Sequence, residues 1–585
     1  MILYQNPGKM KYSFLVFFLF CSFVHAQKFQ TVFEKSNGTK TASYEEVISY
    51  YQQLAKAYPE ISIREMGLTD SGKKLQLVIF STNGNFTPKN INPLAKNTIL
   101  INNGIHPGEP DGIDASMMLL RDIVQDDQLK KKYKDLVICV IPVYNIGGSL
   151  NRNSHSRVNQ NGPESFGFRG NARNFDLNRD FIKADTKNAM AFTEIFHLVD
   201  PDIFIDTHVS NGADYQYTLT HLFTQHNKLG GELGDFLQQK MMPEMEKDLN
   251  RKSLIITPYV SVFNRVPDTG FSQFFDSPRY STGYTTLFNS LGFMIETHML
   301  KPYKQRVEGT YELMFTALDF LEKNGTTIKK LRKDNIDGFL SKKKYPIQWE
   351  IDSSRTSVLQ FKGYEGEIIK SDVTGLDRLK YNRSKPFTKQ VTYYNYFKPK
   401  KEIEIPKAYI IPQGWWKVVD RLKANQVEMI PLKKDTAIAV EVYHIKDYKT
   451  RKSVYEGHYV HFNTSVAKSK ETIAFKKDDL LILSKQKGIR YLIETLEPEA
   501  TDSFFNWNFF DTILQRKEGF SPYVFEDLAI EILKEDSNLK VKYEQLRKQD
   551  KKFKNSWYDQ LNFIYKNSKY QEKAYLQYPV YRIID

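Results

Sequence analysis

Apolar positions 47, 50, 51, 54 and 58 recur at helical spacing between the capping-box pattern Ser43-Tyr44-Glu45-Glu46 and Pro59, so an amphipathic helix is predicted there. Strand-like runs follow at 61–66 and 74–81, joined by the turn Asp70-Ser71-Gly72. The β-branched run Thr98-Ile99-Leu100-Ile101 and the wholly apolar stretch 136–143 read as buried strands, with a helix at 113–124 between them. Two further strand patterns, PDIFIDTH at 201–208 and LGFMIET at 291–297, precede a helix at about 307–322. Strands alternating with helices define an α/β domain whose mixed, mostly parallel sheet is flanked by helices.

Beyond 322 the pattern changes. Residues 324–345 are polar and lysine-rich, and a domain boundary is expected there. From 346 to 500 short β-like segments dominate (357–361, 389–397, 437–445, 479–484), interrupted by a short helix at about 414–424. From 501 to 585 the pattern turns helical, and the aromatic patch FFNWNFFD at 504–511 reads as packing between modules. The expected organisation is therefore a leader at 1–26, an α/β domain at 27–325, β-rich modules at 346–500 and a helical C-terminal region at 501–585.

Composition adds a compartment. The chain is 41% hydrophobic and 14% aromatic over 585 residues, ample for several cores. Residues 9–26 combine two lysines, an apolar run and a Val-His-Ala end, the pattern of a cleaved secretory leader rather than a span retained in the mature chain. Cys21 raises a lipoprotein anchor as the alternative, although the bulky Phe20 precedes it. Cleavage leaves Cys139 as the single thiol, inside an apolar run where a buried, inert side chain is expected. An exported chain without disulfides fits a bacterial envelope: periplasm, outer surface or medium. The net charge of +14 is spread over scattered basic runs, and no helix-turn-helix, zinc-finger or ribonucleoprotein pattern accompanies it, so no nucleic-acid partner is expected. Contact of the C-terminal modules with an anionic envelope polymer stays open.

The chemistry-bearing stretch is NNGIHPGEPDG, 102–112. Asn, Gly and Pro break the strand before it and leave His106 and Glu109 on a turn at its carboxyl end, where open α/β sheets place ligand sites. Taken alone, the pair is also what a loop histidine beside a solvated glutamate would give. PDIFIDTH ends on His208, about 100 residues later, and two close ligands plus a distant third is the pattern of a catalytic zinc site with one open position. Glu296 closes another buried strand, a costly place for a carboxylate unless it is paired or used, and it suits a general base acting on water. Between them lies a long polar loop, 145–181, whose four arginines from 157 to 179 suit an anionic group.

Over roughly residues 40–325 this constellation resembles the zinc carboxypeptidases of the carboxypeptidase A and B type. HPGE is similar to the family's His-x-x-Glu motif, with His106, Glu109 and His208 as ligands of one zinc ion and Glu296 as the catalytic glutamate. FDLNRDF resembles the family's Asp-Leu-Asn-Arg-Asn-Phe. The resemblance implies that Asn178 and Arg179 bind a substrate's C-terminal carboxylate, that Asp176 orients a zinc-bound histidine, and that Arg169 stabilises an oxyanion. It implies a peptide substrate with a free C-terminus. Asp180 and the segment Val209-Ser210-Asn211-Gly212 depart from the family's pattern. The family's mobile tyrosine would fall on Phe274; of the nearest tyrosines, Tyr280 and Tyr284, the latter is taken as its replacement. Arg279, in the region that sets specificity, would suit an acidic C-terminal side chain or be an exposed loop residue. Alternatives are a zinc amidase or endopeptidase on cell-wall or other peptides, and an inactive envelope binding protein. No metal partner is expected for His155, His197, His221 or His226, nor a second site at His458 and His461.

Overall fold

The structure is a computed structural model describing residues 29–84 and 96–584. The leader pattern at 1–26 lies outside these residues.

The expected first helix forms as Tyr44–Ala57. Ser43 accepts from the Glu46 amide while Glu46 reaches back to Ser43, and Val47, Tyr50, Tyr51 and Leu54 are buried. Strands β1 (Ile61–Leu68), β2 (Lys74–Phe80), β3 (Asn97–Asn102), β4 (Leu136–Ile141), β5 (Ile203–Ser210), β6 (Leu219–Phe223) and β7 (Ile256–Pro258) follow; β8 is the pair Phe271–Ser272, and β9 is Leu291–His298. All but β8 form one eight-stranded sheet in the order β1-β2-β4-β3-β5-β9-β6-β7. The pairings β4–β3, β3–β5, β5–β9 and β6–β7 are parallel, the other three antiparallel. Helices Asp111–Gln125, Lys187–Val199 and Tyr303–Ser341 pack against it. This is the mixed, mostly parallel sheet flanked by helices that the alternation predicts. β4 and β5 are buried at every position, Cys139 included, because neighbours on both faces leave no solvent-facing side to the strand.

Most of the polar stretch where a domain boundary is expected, 324–345, is helix. Tyr303–Ser341 runs unbroken for 39 residues. Its buried stripe continues through Asn324, Ile328, Arg332, Asn335 and Phe339, with Lys330–Asp334 and Lys333–Asp337 pairs on the solvent side. Several stripe positions are polar, which hides the period from a hydrophobic reading. Arg332, for example, meets Asp200 and Asp202 at 2.7 and 2.6 Å.

Beyond it come β10 (Lys344–Ile351), β11 (Ser357–Lys370), β12 (Asp377–Tyr394), β13 (Phe397–Glu404), β14 (Ala408–Ile411), β15 (Ile430–Pro431), β16 (Thr436–Thr450), β17 (His461–Phe475) and β18 (Leu480–Leu483). β10 pairs with β13, the long β11–β12 hairpin docks on β8, and a six-stranded sheet runs β15-β18-β14-β19-β16-β17. The inserted β19 is Tyr581–Ile583, after the helices Pro522–Glu535, Ser537–Gln549 and Trp557–Lys566, so the chain's end returns into the β-rich region. Phe504, Phe505, Trp507 and Phe510 are fully buried, as expected for packing. Among the described residues no helix is long and apolar enough to cross a membrane.

Candidate metal centre and substrate cleft

His106 and Glu109 sit on the turn between β3 and the Asp111–Gln125 helix, closed by the Glu109 amide donating to His106 O at 2.8 Å. Gly104 takes φ +64° there, and a Cβ on it would crowd Ile113 at 3.1 Å. His208 lies near the end of β5, adjacent to β3 in the sheet, and reaches the same point in space.

One carboxylate joins the two imidazoles. Glu109 Oε1 is 3.2 Å from His106 Nδ1, and Oε2 is 3.3 Å from His208 Nδ1. The far nitrogens are committed elsewhere: His106 Nε2 lies 3.0 Å from Asp176 Oδ1, and His208 Nε2 lies 3.0 Å from Asp206 Oδ2. A carboxylate only accepts, so each Nε2 carries its proton and each Nδ1 can present a lone pair. A lone pair facing Glu109 at such distances is repulsive unless a proton or a metal ion lies between them. Ligands about 2.0–2.1 Å from a tetrahedral zinc stand roughly 3.3 Å apart, which these separations match. Donor atoms of all three residues lie within 4.8 Å of one another, and all three side chains are buried. The set fits one Zn²⁺, held by His106, Glu109 and His208.

Charge around the centre is arranged on both sides. Burial alone would raise the Glu109 carboxyl, but Arg157 and His106 hold it well below the usual range. Arg157 Nη1 meets Glu109 Oε1 at 2.6 Å, and its Nη2 donates to Val209 O at 2.9 Å. Asp176 is likewise kept low against burial, by His106, Arg169 and Arg179. Burial disfavours a charged His208, yet Asp206 and Glu109 push it well above its ordinary value.

Glu296 stands opposite His208 in the β5–β9 register, so the two share one face of the sheet. Its carboxyl is pushed up to about 8, chiefly by burial and further by Glu109, with His208 and Arg157 opposing. Arg169 Nη1 lies 3.3 Å from His106 Nδ1, and its Nε and Nη2 grip Asp176 Oδ2 at 3.0 and 2.8 Å. Asn178 and Arg179 belong to the short 3₁₀ turn Leu177–Arg179, capped by Asp176. Asn178 Oδ1 is buried without a hydrogen-bond partner, while Arg179 stacks on Tyr280 at 4.6 Å. A cavity of about 530 Å³ is lined by the three ligands, Glu296, Arg169, Asn178 and Arg179. Its remaining wall includes Tyr259, Phe274, Tyr280, Leu222 and Met294. Asp176 stands behind His106, outside the lining.

Two expectations are corrected. Tyr284 does not face the cavity: it is fully buried among Phe181, Phe192 and Phe196, with its hydroxyl donating to Asn425 at 2.6 Å. It sits in the helical turn Ser281–Thr286, which rotates it into the core, whereas Tyr280, just before that turn, lines the cavity. Arg279 is spent on Asp502 at 2.6 Å and offers no cation to the pocket. A further acid in the cavity lining, besides Glu109 and Glu296, is Asp276, buried, raised to about 7 by burial, with Oδ1 unpartnered.

Sequence reasoning also missed Asp206 and the specific role of Arg157. Asp206 was signalled: it lies two residues before His208 on one strand, hence on the same face. Arg157 carried no such signal, being one arginine among several in an irregular loop. The other histidines lie outside the cavity lining. His221 pairs with Glu246, His458 with Asp185 and His461 with Asp511, and His298 meets Ala213 O at 2.9 Å.

A His-Glu-His zinc centre at the carboxyl ends of a mixed α/β sheet, beside a cleft with a carboxylate and arginines, defines a metallohydrolase. Residues 47–197 match the family described as zinc carboxypeptidase. The chain is similar to carboxypeptidase 2 of Trichophyton rubrum, 22% identical over 497 residues covering 80% of this chain and 84% of that protein. Carboxypeptidase 2 of Trichophyton tonsurans is also 22% identical, over 496 residues, with the same coverage. Among solved structures, a metallo-carboxypeptidase from Burkholderia cenocepacia is 16% identical and covers 49% of this chain and 70% of its own, with a TM-score of 0.37. With its zinc-ligand set in place, the chain is similar to the zinc carboxypeptidases and is a zinc-dependent peptide hydrolase.

Proposed function

We propose that the protein is an exported carboxypeptidase that removes C-terminal residues from peptides, with Glu296 as general base and acid. The observation that carries this reading is the gathering of two functions in one cavity: Glu296, in register with the ligand His208, and the Asn178–Arg179 pair. Zinc, when bound, supplies Lewis acidity that brings water's acidity near neutral pH and polarises a carbonyl. Glu296 then accepts the proton of the attacking water and passes it to the leaving amine. Arg169, half-exposed beside His106, donates to the oxyanion that develops as water adds. Asp176 and Asp206 fix the tautomer and tilt of the two histidines.

Asn178 and Arg179 hold the substrate's terminal carboxylate one residue beyond the scissile bond, which restricts cleavage to the chain end. Tyr280, stacked on Arg179 and lining the cavity, takes the place at the carboxylate first assigned to Tyr284. The leader-like pattern at 9–26 supports export to a bacterial envelope or medium.

A panel of peptides with free and amidated C-termini, assayed with and without a chelator, tests the reading. The expected result is cleavage of free termini only, abolished by chelation and restored by zinc. Equal cleavage of amidated peptides would favour an amidase or endopeptidase, and no cleavage at all would favour a binding protein.

A further inference from the structure

The segment 169–185 that carries Asn178 and Arg179 contains no strand and only one three-residue helical turn. Its position is therefore set by whatever packs on it. Much of that packing comes from the 451–460 loop between β16 and β17, nearly 300 residues further along the chain. Glu456 Oε2 accepts the Asp176 amide N–H at 2.8 Å, bonding the residue that caps the Asn178–Arg179 turn. Glu456 adopts φ +50° and Gly457 φ +77°. A Cβ on Gly457 would press on the Phe175 ring at 3.1 Å, so this backbone lies flush on the segment.

Neighbouring contacts repeat the pattern. His458 Nε2 meets Asp185 Oδ2 at 2.6 Å, and the buried Lys183 bridges Asp180 and Asp185 over the Trp507 ring. The Tyr455 ring stacks on Trp507, with its hydroxyl beside Arg179. Further along the chain, Asp502 holds Arg279, the residue before the cavity-lining Tyr280, at 2.6 Å.

Resting on the carboxylate role given above to Asn178 and Arg179, we infer that Glu456 is a positioning residue for that clamp. The β-rich module thereby completes the peptidase's substrate site rather than serving as a separate binding domain. Glu456 does not touch substrate; it fixes the Asp176 amide and hence the turn that presents both clamp residues.

The test uses the full-length, zinc-loaded enzyme and a peptide with a free C-terminus. Glu456→Ala should raise KM about tenfold, the scale of one lost charge-assisted hydrogen bond, with kcat within about twofold and the thermal midpoint within about 2 °C. Glu456→Gln keeps an oxygen that can accept the Asp176 N–H and should restore the wild-type KM. An unchanged KM in Glu456→Ala overturns the inference, as does a loss of kcat and midpoint that glutamine fails to rescue. Wild-type enzyme that cleaves free and amidated peptides alike overturns the carboxylate clamp itself, whatever the variants do.

Discussion

Asp206 sets how firmly the metal is held. Its Oδ2 takes the His208 Nε2 proton while Oδ1 accepts from Asn102 at 3.0 Å, so it cannot swing away without losing a second partner. Replacing a carboxylate behind a zinc-bound histidine typically costs about 10–100-fold in metal affinity. Asp206→Asn should therefore weaken zinc binding by that factor in competition with a chromophoric chelator, and unchanged affinity would contradict the role. At this scale the sequence was legible where residue type and spacing suffice: His106, Glu109, His208 and Glu296 all fall in one place. It was not legible at Tyr284, because a tyrosine's distance along the chain from the glutamate does not say which way a helical turn faces it. Four residues separate the cavity-lining Tyr280 from the core Tyr284.

At the scale of elements, the Asp111–Gln125 helix places the HPGE turn, and the 39-residue helix anchors it. Arg306, fully buried, holds Asp111 through two nitrogens at 3.0 and 3.3 Å and spends its other protons on the carbonyls of Asn161, Gly162 and Lys301. Thr297 on β9 donates to the same Asp111 carboxylate. Removing one partner leaves a buried charge uncompensated, which costs about 3–5 kcal/mol. Arg306→Met should accordingly lower the urea midpoint followed by circular dichroism, and an unshifted midpoint would contradict the account. Strands such as β4, and the Ile203-Phe204-Ile205 start of β5, were readable because those buried runs are purely apolar. The second half of the long helix was not, because Asn324, Arg332 and Asn335 fill buried positions with polar groups whose partners, such as Asp200 and Asp202, are distant in sequence.

Across the whole molecule, the C-terminal half is built into the peptidase. The β11–β12 hairpin docks on β8 and meets Tyr215, β19 returns from the end of the chain, and the 451–460 loop braces the substrate segment. Composition could announce β-rich modules and an aromatic cluster, but not that Glu456 would lie against Asp176, since long-range packing leaves no local period to read. The account turns on Glu296 acting beside a zinc ion it does not ligate. The most direct measurement is Glu296→Gln, with zinc content and hydrolysis determined on the same preparation. One zinc per chain with nearly all hydrolysis lost is the result predicted; a fully active variant, or one that no longer holds zinc, would contradict it.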